Sequence, residues 1–461
     1  MIYAFYGQSP HVSQASKYKV ENQAVRLQIV VKRRRSQLEN DEISGDSDAD
    51  SNDEEDDDLS IQPLAKLMRS TASLTRLTQT NSSKRLKLRP EVIGIERMKD
   101  ITPIQPSAIT SLTIHPTLPL LMSSGPSSTV YLHHLRPHPT IPDPANPLVT
   151  SLHLKHTPLS TTAFSYSSSS SASTSPQIYL SSRRRYFHIW DLPTGQIKKI
   201  TRIYGQSSTQ RTFEVLKPSP CGRYIALLGS SRKGGGLVNI LSATTTQWLC
   251  QARLESRKGL ADFVWWNDGR GMCLVGRGGE VAEYCVDERK IVARWQDEGA
   301  VGTTTIAFGG RIAAVDSNRK RGAPEPLLGP DRWIAIGSTS GIVNLYDRSC
   351  WVDTPPVKNP KPTRSFENLT TPISKLCFSP DGQVMAMASR WKKDALRLIH
   401  LPSCTVYKNW PTSKTPLGRI SAVCLGEIIE GGGDEGGEEK RLLVLVVGNE
   451  AGALRGWEIS G

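Results

Sequence analysis

Short apolar runs, each closed by a turn, set the rhythm of this chain. In "YFHIWDLPTG" (Tyr186 to Gly195), Phe187 and Ile189 alternate with polar neighbours, a Trp-Asp pair follows, and Pro-Thr-Gly ends the run. A two-residue period puts alternate side chains on one face of a strand, and clusters of Pro, Gly and Asp stop it. Two later segments align with each other without a gap. In "AIGSTSGIVNLYD" (Ala335 to Asp347) and "VVGNEAGALRGWE" (Val446 to Glu458), Gly337 matches Gly448, Gly341 matches Gly452, and Tyr346-Asp347 matches Trp457-Glu458. The same grammar of strand, small-residue turn, strand and aromatic-acid ending, or a substitute for that ending, recurs in "SSGPSSTVYLHHL", "LSSRRRYFHIWD", "LLGSSRKGGGLVNILSA", "LVGRGGEVAEYCVD" and "MASRWKKDALRLIHLP", which makes seven units. An upstream turn also recurs, as "SPCG" (Ser219 to Gly222), "WNDG" (Trp266 to Gly269) and "SPDG" (Ser379 to Gly382). Each supplies the residues of a hairpin.

Repeated four-stranded units with Trp-Asp endings predict an all-β fold, a seven-bladed WD40 β-propeller. One blade cannot bury both of its faces. Packed radially, each blade covers its neighbour and the ring removes long exposed edges. The Trp or Tyr of each ending is expected to fill space between blades. The unit spacing is roughly fifty residues against the usual ~40–45, and insertions account for the excess: Ser165 to Ser175, Asp316 to Asp331, and Gly431 to Lys440, expected as loops at blade edges. The last unit, "LRGWEISG", ends after a third strand, so its fourth must come from elsewhere. "EVIGIERM" (Glu91 to Met98) precedes the first unit and is expected to pair with the Leu454–Ile459 strand and clasp the ring.

Composition divides the chain near residue 90. The segment 1–90 carries a basic block, "VKRRR" (Val31 to Arg35), an acidic one (Asp41 to Asp58) with eleven acids in eighteen residues, and a second basic one, "KRLKLR" (Lys84 to Arg89). Such blocks repel internally and bury too little apolar area to offset ordering entropy, so 1–90 reads as a disordered tail and 91–461 as the propeller. The basic blocks read equally as nuclear-import signals or as a solvated tail. Ser47 and Ser51 precede acids and suit acid-directed phosphorylation. "PLAKLMRSTASLTRL" (Pro63 to Leu77) has weak helical spacing, which fits a short docking helix or nothing. The formal net charge is +13, and would be +24 without the acidic block. That excess favours an anionic partner such as nucleic acid or an acidic protein. No apolar run reaches the length of a membrane span, and "MIYAFYGQSP" is too short and polar for a signal peptide.

Catalytic and metal chemistry finds little footing. The eight cysteines never fall at Cys-x-x-Cys spacing, and several sit in apolar runs, which reads as reduced, buried thiols in an intracellular protein. Asp46, Asp48 and Asp50 mimic a calcium loop, but Ser51 stands where the sharp turn needs Gly. "GSTSG" (Gly337 to Gly341) resembles a nucleophile elbow with Thr339 in place of Ser, and reads better as a hairpin turn. "GSSRKGG" (Gly229 to Gly235) is spaced like a phosphate loop without its Lys-Ser/Thr. His133, His134 and His138 lack a defined acidic or Cys partner and read as strand-end histidines. No catalytic residue, cofactor or metal site is expected.

Basic loops are what stand out. "SSRRRYF" carries Arg183, Arg184 and Arg185. "SSRKGGG" carries Arg232 and Lys233. "SRWKKDAL" carries Arg390, Trp391, Lys392 and Lys393. By the repeat alignment all three join the second and third strands of blades two, three and six, and so emerge on one face. Lysine and arginine make salt-sensitive phosphate contacts, and Trp391 can stack on a base or pack against its own blade.

At these residues the chain closely resembles the U3 small nucleolar RNA-associated protein 18 family of WD-repeat proteins. The resemblance runs over roughly 88–461. It is carried by "SRRRYFHIWDLPTGQIKKITRIYG", "FEVLKPSPCGRYIALLGSSRKGGGLVNIL", "QWLCQARLESRKGLADFVWW", "GNEAGALRGWEI" and, most specifically, the block Lys392 to Arg419. It implies a non-enzymatic nucleolar scaffold of the small-subunit processome. Partners would be the other WD-repeat subunits of the UTP-B subcomplex, the U3 ribonucleoprotein and pre-ribosomal RNA, in the steps that yield 18S ribosomal RNA. The family's tail also has a Leu-Phe-x-apolar-Asp motif that recruits the RNA-exosome helicase. That string is not found in these 461 residues, so either the chain lacks helicase recruitment or its start is not the natural one, and the exosome helicase is a doubtful partner. From the residues alone, a general WD-repeat adaptor, such as a ubiquitin-ligase substrate receptor, is the alternative.

Overall fold

A computed structural model describes residues 87–461 apart from 138–144, 166–175, 205–209, 211, 230–235, 300, 313–326, 352–354, 431–439 and 461. The tail blocks with Asp46, Ser47, Asp48, Asp50 and Ser51, the Pro63–Leu77 segment, His138, Arg232, Lys233 and most of the three insertions lie outside the described residues.

Strand β1 (Gly94–Arg97) comes first in the chain and is used last in the fold. Blade one is β2 (Ser111–Ile114), β3 (Leu120–Ser124), β4 (Thr129–His134) and β5 (Leu148–His153). Blade two is β6 (Leu159–Ser165), β7 (Gln177–Ser182), β8 (Phe187–Asp191) and β9 (Ile197–Ile200). Blade three is β10 (Leu216–Pro218), β11 (Tyr224–Leu228), β12 (Gly236–Ser242) and β13 (Trp248–Leu254). Blade four is β14 (Leu260–Trp265), β15 (Gly271–Gly276), β16 (Glu280–Cys285) and β17 (Lys290–Gln296). Blade five is β18 (Thr303–Arg311), β19 (Asp331–Ser338), β20 (Val343–Asp347) and β21 (Arg364–Phe366). Blade six is β22 (Lys375–Phe378), β23 (Val384–Ala388), β24 (Leu396–His400) and β25 (Thr405–Val406). Blade seven is β26 (Ile420–Glu430), β27 (Lys440–Asn449) and β28 (Leu454–Ser460), with β1 as its outer strand.

Every pairing within a blade is antiparallel, as hairpin connections require. The expected clasp is present: Gly94 lies opposite Ser460, Ile95 opposite Ile459 and Arg97 opposite Trp457. The pairing continues past β1, with the Gln105 amide donating to the Gly452 carbonyl at 2.9 Å. Ahead of β1, Ile93 exchanges hydrogen bonds with the Asn409 side chain (3.2 and 2.7 Å), and the Leu88 amide donates to Gln383. Leu88 falls in the stretch that charge pattern assigns to the tail, yet it is buried, in the same core cluster as Tyr407, Trp410 and Trp457 of blades six and seven. An apolar residue ending a basic block reads as tail until its covering surface, far along the chain, is known.

First strands line the ring axis, with β2 on β6, β6 on β10, β14 on β18, β18 on β22, and β22 and β2 on β26. The core lies between blades, as the patterning requires. The ending aromatics fill it: Tyr346 meets Trp295 of blade four at 4.9 Å between rings, Trp457 meets Trp410 of blade six at 5.5 Å, and Trp190 packs with the core of blade one. The recurring turns close β10–β11, β14–β15 and β22–β23. In them Gly222, Gly269 and Gly382 adopt φ of 72°, 70° and 75°, and each amide bonds back to the carbonyl three residues earlier. Gly269 and Gly382 also pack on the neighbouring blade, since a Cβ would come within 2.6 Å of the Cys221 Sγ in the first case and within 2.4 Å of the Gly310 Cα in the second.

Blades four and five share a buried ion cluster. Arg348 Nη2 meets Glu283 Oε2 at 2.7 Å, and its Nη1 lies 4.0 Å from Asp331 Oδ2. Trp266 Nε1 donates to Glu283 at 3.0 Å and the Asn267 amide to Asp331 at 2.9 Å. The Arg348 guanidinium also donates to the Leu328 carbonyl and lies over the Phe308 ring. Burial pushes Glu283 up to about 7 and Asp331 up to about 6, with Arg348 opposing both shifts.

Two outcomes follow. Arg348→Met, which strands two buried acids, should cost roughly 3–5 kcal/mol in denaturant unfolding. Glu283 binds its proton more tightly folded than unfolded, so its contribution to stability is full below pH 4.5 and is lost as pH rises through about 7. Glu283→Gln should therefore gain stability relative to the parent as pH is raised across that window, and a difference independent of pH would contradict this origin. Separately, Gly382→Ala should destabilise by roughly 1–3 kcal/mol, beyond Gly195→Ala, whose φ is also positive but whose Cβ would meet nothing within 4 Å.

Candidate nucleic-acid interface

Antiparallel order fixes where each loop emerges. The second-to-third-strand loop of a blade and the connection into the next blade's first strand share one face; the first-to-second-strand turn opens on the other. Hydrogen bonds tie the first kind together. The Phe213 amide donates to the Arg184 carbonyl at 3.1 Å, Arg277 to Gly259 at 3.0 Å, Asp394 to Gly418 at 2.9 Å and Glu450 to Arg419 at 3.0 Å.

Arg183, Arg184 and Arg185 join β7 to β8, and Arg390 to Lys393 lie between β23 and β24, so both sit on this face as the repeat alignment expects. The loop with Arg232 and Lys233 is bracketed by β11 and β12, the same place in blade three. All seven described members of the set are exposed. They are not equivalent. Arg183 Nε pairs with Glu214 at 3.0 Å, and Arg390 Nε with Glu450 at 2.6 Å; Arg419 also approaches Glu450, at 3.8 Å. Those two arginines are partly neutralised and held in place. Arg184, Arg185, Lys392 and Lys393 have no acidic partner among the described residues. Trp391 stands 69% exposed. Packing against its own blade is thereby ruled out, and the ring is presented to solvent between cations.

The face holds further cations. Arg277, exposed, occupies in blade four the place that Arg183 and Arg390 occupy in blades two and six. Arg257 and Lys258, exposed in the connection from β13 to β14, lie beside it. With Arg183 to Arg185 they form an arc over blades two to four, opposite the Arg390–Lys393 loop across the ring. Sequence carried a signal for Arg277, which aligns with Arg183 and Arg390, but a single arginine between glycines makes no cluster.

Inside the ring, Lys217 on β10 donates to Asp262 Oδ1 of β14 at 2.7 Å, and Thr305 of β18 donates to Asp262 Oδ2 at 3.2 Å. Lys375, the first residue of β22, is exposed to the channel. Desolvation lowers its ammonium pKa; Asp262 opposes this, and Lys217 and Arg390 add to it.

The motifs weighed for catalysis have structural explanations. Gly337–Gly341 spans the β19–β20 hairpin, with Gly341 at φ 91°. His133 turns Nε2 to the Thr102 carbonyl at 3.2 Å, and burial lowers its pKa to about 4. His134 accepts from Arg136 Nε at 3.2 Å. Among the described residues no three His, Cys, Asp or Glu side chains gather as a metal site.

No family model matches the chain. Individual relatives do. A Schizosaccharomyces pombe protein described as probable U3 small nucleolar RNA-associated protein 18 is 36% identical over 416 residues, covering 89% of this chain and 69% of the relative. The Saccharomyces cerevisiae U3 small nucleolar RNA-associated protein 18 is 37% identical over 425 residues, 87% of this chain and 65% of its own. The human homologue is 27% identical over 308 residues, 66% of this chain and 48% of its own. The chain thus spans about two thirds of the length of the two fungal relatives. Repeat grammar, seven-bladed architecture and a continuous match of this extent converge on one assignment: the chain belongs to the U3 small nucleolar RNA-associated protein 18 family.

Proposed function

We propose that this protein is a non-catalytic scaffold of small-ribosomal-subunit assembly, acting with the U3 ribonucleoprotein on pre-ribosomal RNA in the nucleolus. The observation that carries the reading is the 36% identity over 89% of the chain to a relative named for association with U3 small nucleolar RNA. The basic, loop-bearing face supports it. Cations there draw in phosphates, and the exposed Trp391 gives a base something to stack on. On this reading other WD-repeat subunits of the UTP-B subcomplex hold the propeller by its remaining surfaces, leaving the basic face to RNA. The nucleolar setting and the UTP-B partners come from the family resemblance.

The test is gentle purification of the tagged protein from its own cells, with probing of the eluate for U3 and pre-ribosomal RNA and identification of its proteins. U3 and processome propellers should be enriched together. Ubiquitin-ligase subunits without U3 would sink the proposal. Charge reversal at Arg184, Arg185, Lys392 and Lys393 should abolish RNA crosslinking in cells while each substitution shifts stability by no more than about 0.5 kcal/mol, because all four are exposed. Undiminished crosslinking would show that RNA approaches another surface.

A further inference from the structure

The arc on blades two to four and the loop of blade six lie on opposite sides of the channel mouth. A polyanion that uses both must cross that mouth, and one cation waits there. Lys375 opens β22 and lies opposite Ala388, the last residue of β23, directly before the Ser389–Arg390 turn. It therefore sits at the end of the channel that opens on the basic face. Its ammonium has no hydrogen-bond or ion-pair partner among the described residues.

The other channel lysine is already used. Lys217 donates to Asp262 Oδ1 at 2.7 Å and to the Phe263 carbonyl, while Thr305 takes the second Asp262 oxygen. The one carboxylate of this group is thus occupied by others. Lys375 makes no direct ion pair among the described residues; surrounded by protein but open to solvent through the channel, it feels only the distant pull of Asp262, which Lys217 and Arg390 oppose. A desolvated ammonium in that setting gains more from an arriving anion than a freely hydrated surface lysine does.

We propose that a single-stranded RNA lying on the basic face crosses the channel mouth, and that Lys375 holds one of its phosphates there. The inference rests on the RNA-contact reading of that face and adds a path and a residue to it. RNA is favoured over an acidic protein segment because Trp391 stands exposed beside Lys392 and Lys393, where a base can stack and a carboxylate gains nothing.

The experiment is fluorescence anisotropy of the full chain with a fluorescein-labelled oligouridylate over a series of potassium chloride concentrations. Each phosphate contact on a single strand adds about 0.7 to the slope of log affinity against log salt. Lys375→Met should weaken binding and flatten the slope by about 0.7, and Lys375→Arg should restore it. Lys375→Gln guards against a packing effect of Met, and thermal unfolding checks that each variant is folded. Unchanged slope and affinity in Lys375→Met, with binding still lost on charge reversal of Lys392 and Lys393, would overturn the crossing path alone. Absence of salt-dependent binding by the parent would overturn the RNA-contact reading beneath it. Competition by polyglutamate as strong as by oligouridylate, equally relieved in Lys375→Met, would assign the site to an acidic protein segment instead.

Discussion

A ring of blades has no ends and a polypeptide has two, so the fold depends on how the ends are joined. Here β1 completes the sheet begun by β26, β27 and β28, with Ile95 opposite Ile459 and Arg97 opposite Trp457. Without that pairing, β28 would be an exposed edge whose own Ile459, with Leu445 and Val447 of β27, belongs to the core shared with blade six. Nearly the whole propeller lies between the paired strands. The entropy of closing so long a loop grows only logarithmically with its length, so an edge-to-edge pairing reinforced by Leu88 and Ile93 can offset it. The hydrogen bonds from Ile93 and Leu88 to Asn409 and Gln383 extend the clasp onto blade six.

Closure also gives the two faces different jobs. The turns that follow the inner strands are tight. Their glycines sit at positive φ and press on the neighbouring blade, as Gly269 does on Cys221 and Gly382 on Gly310. A side chain added there collides with backbone or buried atoms. The opposite face carries the second-to-third-strand loops, some of them equally tight, since Gly341 and Gly452 sit at positive φ against the backbone of Leu369 and Gln105, and others tipped with exposed cations. Arginine and lysine are tolerated there in three blades at one structural position, and a pairing such as Arg390 with Glu450 joins neighbouring blades without removing the net positive charge.

What is local in the chain was legible in its sequence. A strand, a turn and a strand are contiguous, so all seven units, the turn at Gly382 and the places of Arg183 and Arg390 can be read directly. The clasp was legible for a different reason: a seventh unit short of a strand needs one, and only Glu91 to Met98 lies suitably placed and patterned. What depends on distant residues was not. Arg348 meets Glu283 across 65 positions, and no local pattern links them. Trp391 allows a packed and an exposed reading until the surroundings of its loop are known. Lys375 resembles any polar residue of an alternating strand, and its meaning comes from the channel, which seven separate segments build. The outer strands of blades five and six, Arg364–Phe366 and Thr405–Val406, are too short to leave a period.

The two sets of enclosed charges differ in sign of imbalance, and the difference separates architecture from recognition. Between blades four and five one guanidinium faces two carboxylates, and burial, with a smaller contribution from Asp331, pushes Glu283 up to about 7 against the pull of Arg348. Around Asp262, among the described residues, the excess is positive, with Lys217 and Lys375 sharing one carboxylate, and a lysine relieves it by losing its proton or by finding an anion. Deprotonation is eased by the lowered pKa of Lys375, yet the position opens toward the face where phosphates would gather. A closed cluster has its ionisation set by burial and by its own members. An open one leaves its imbalance to a ligand, and the sign of the excess matches the face on which it opens.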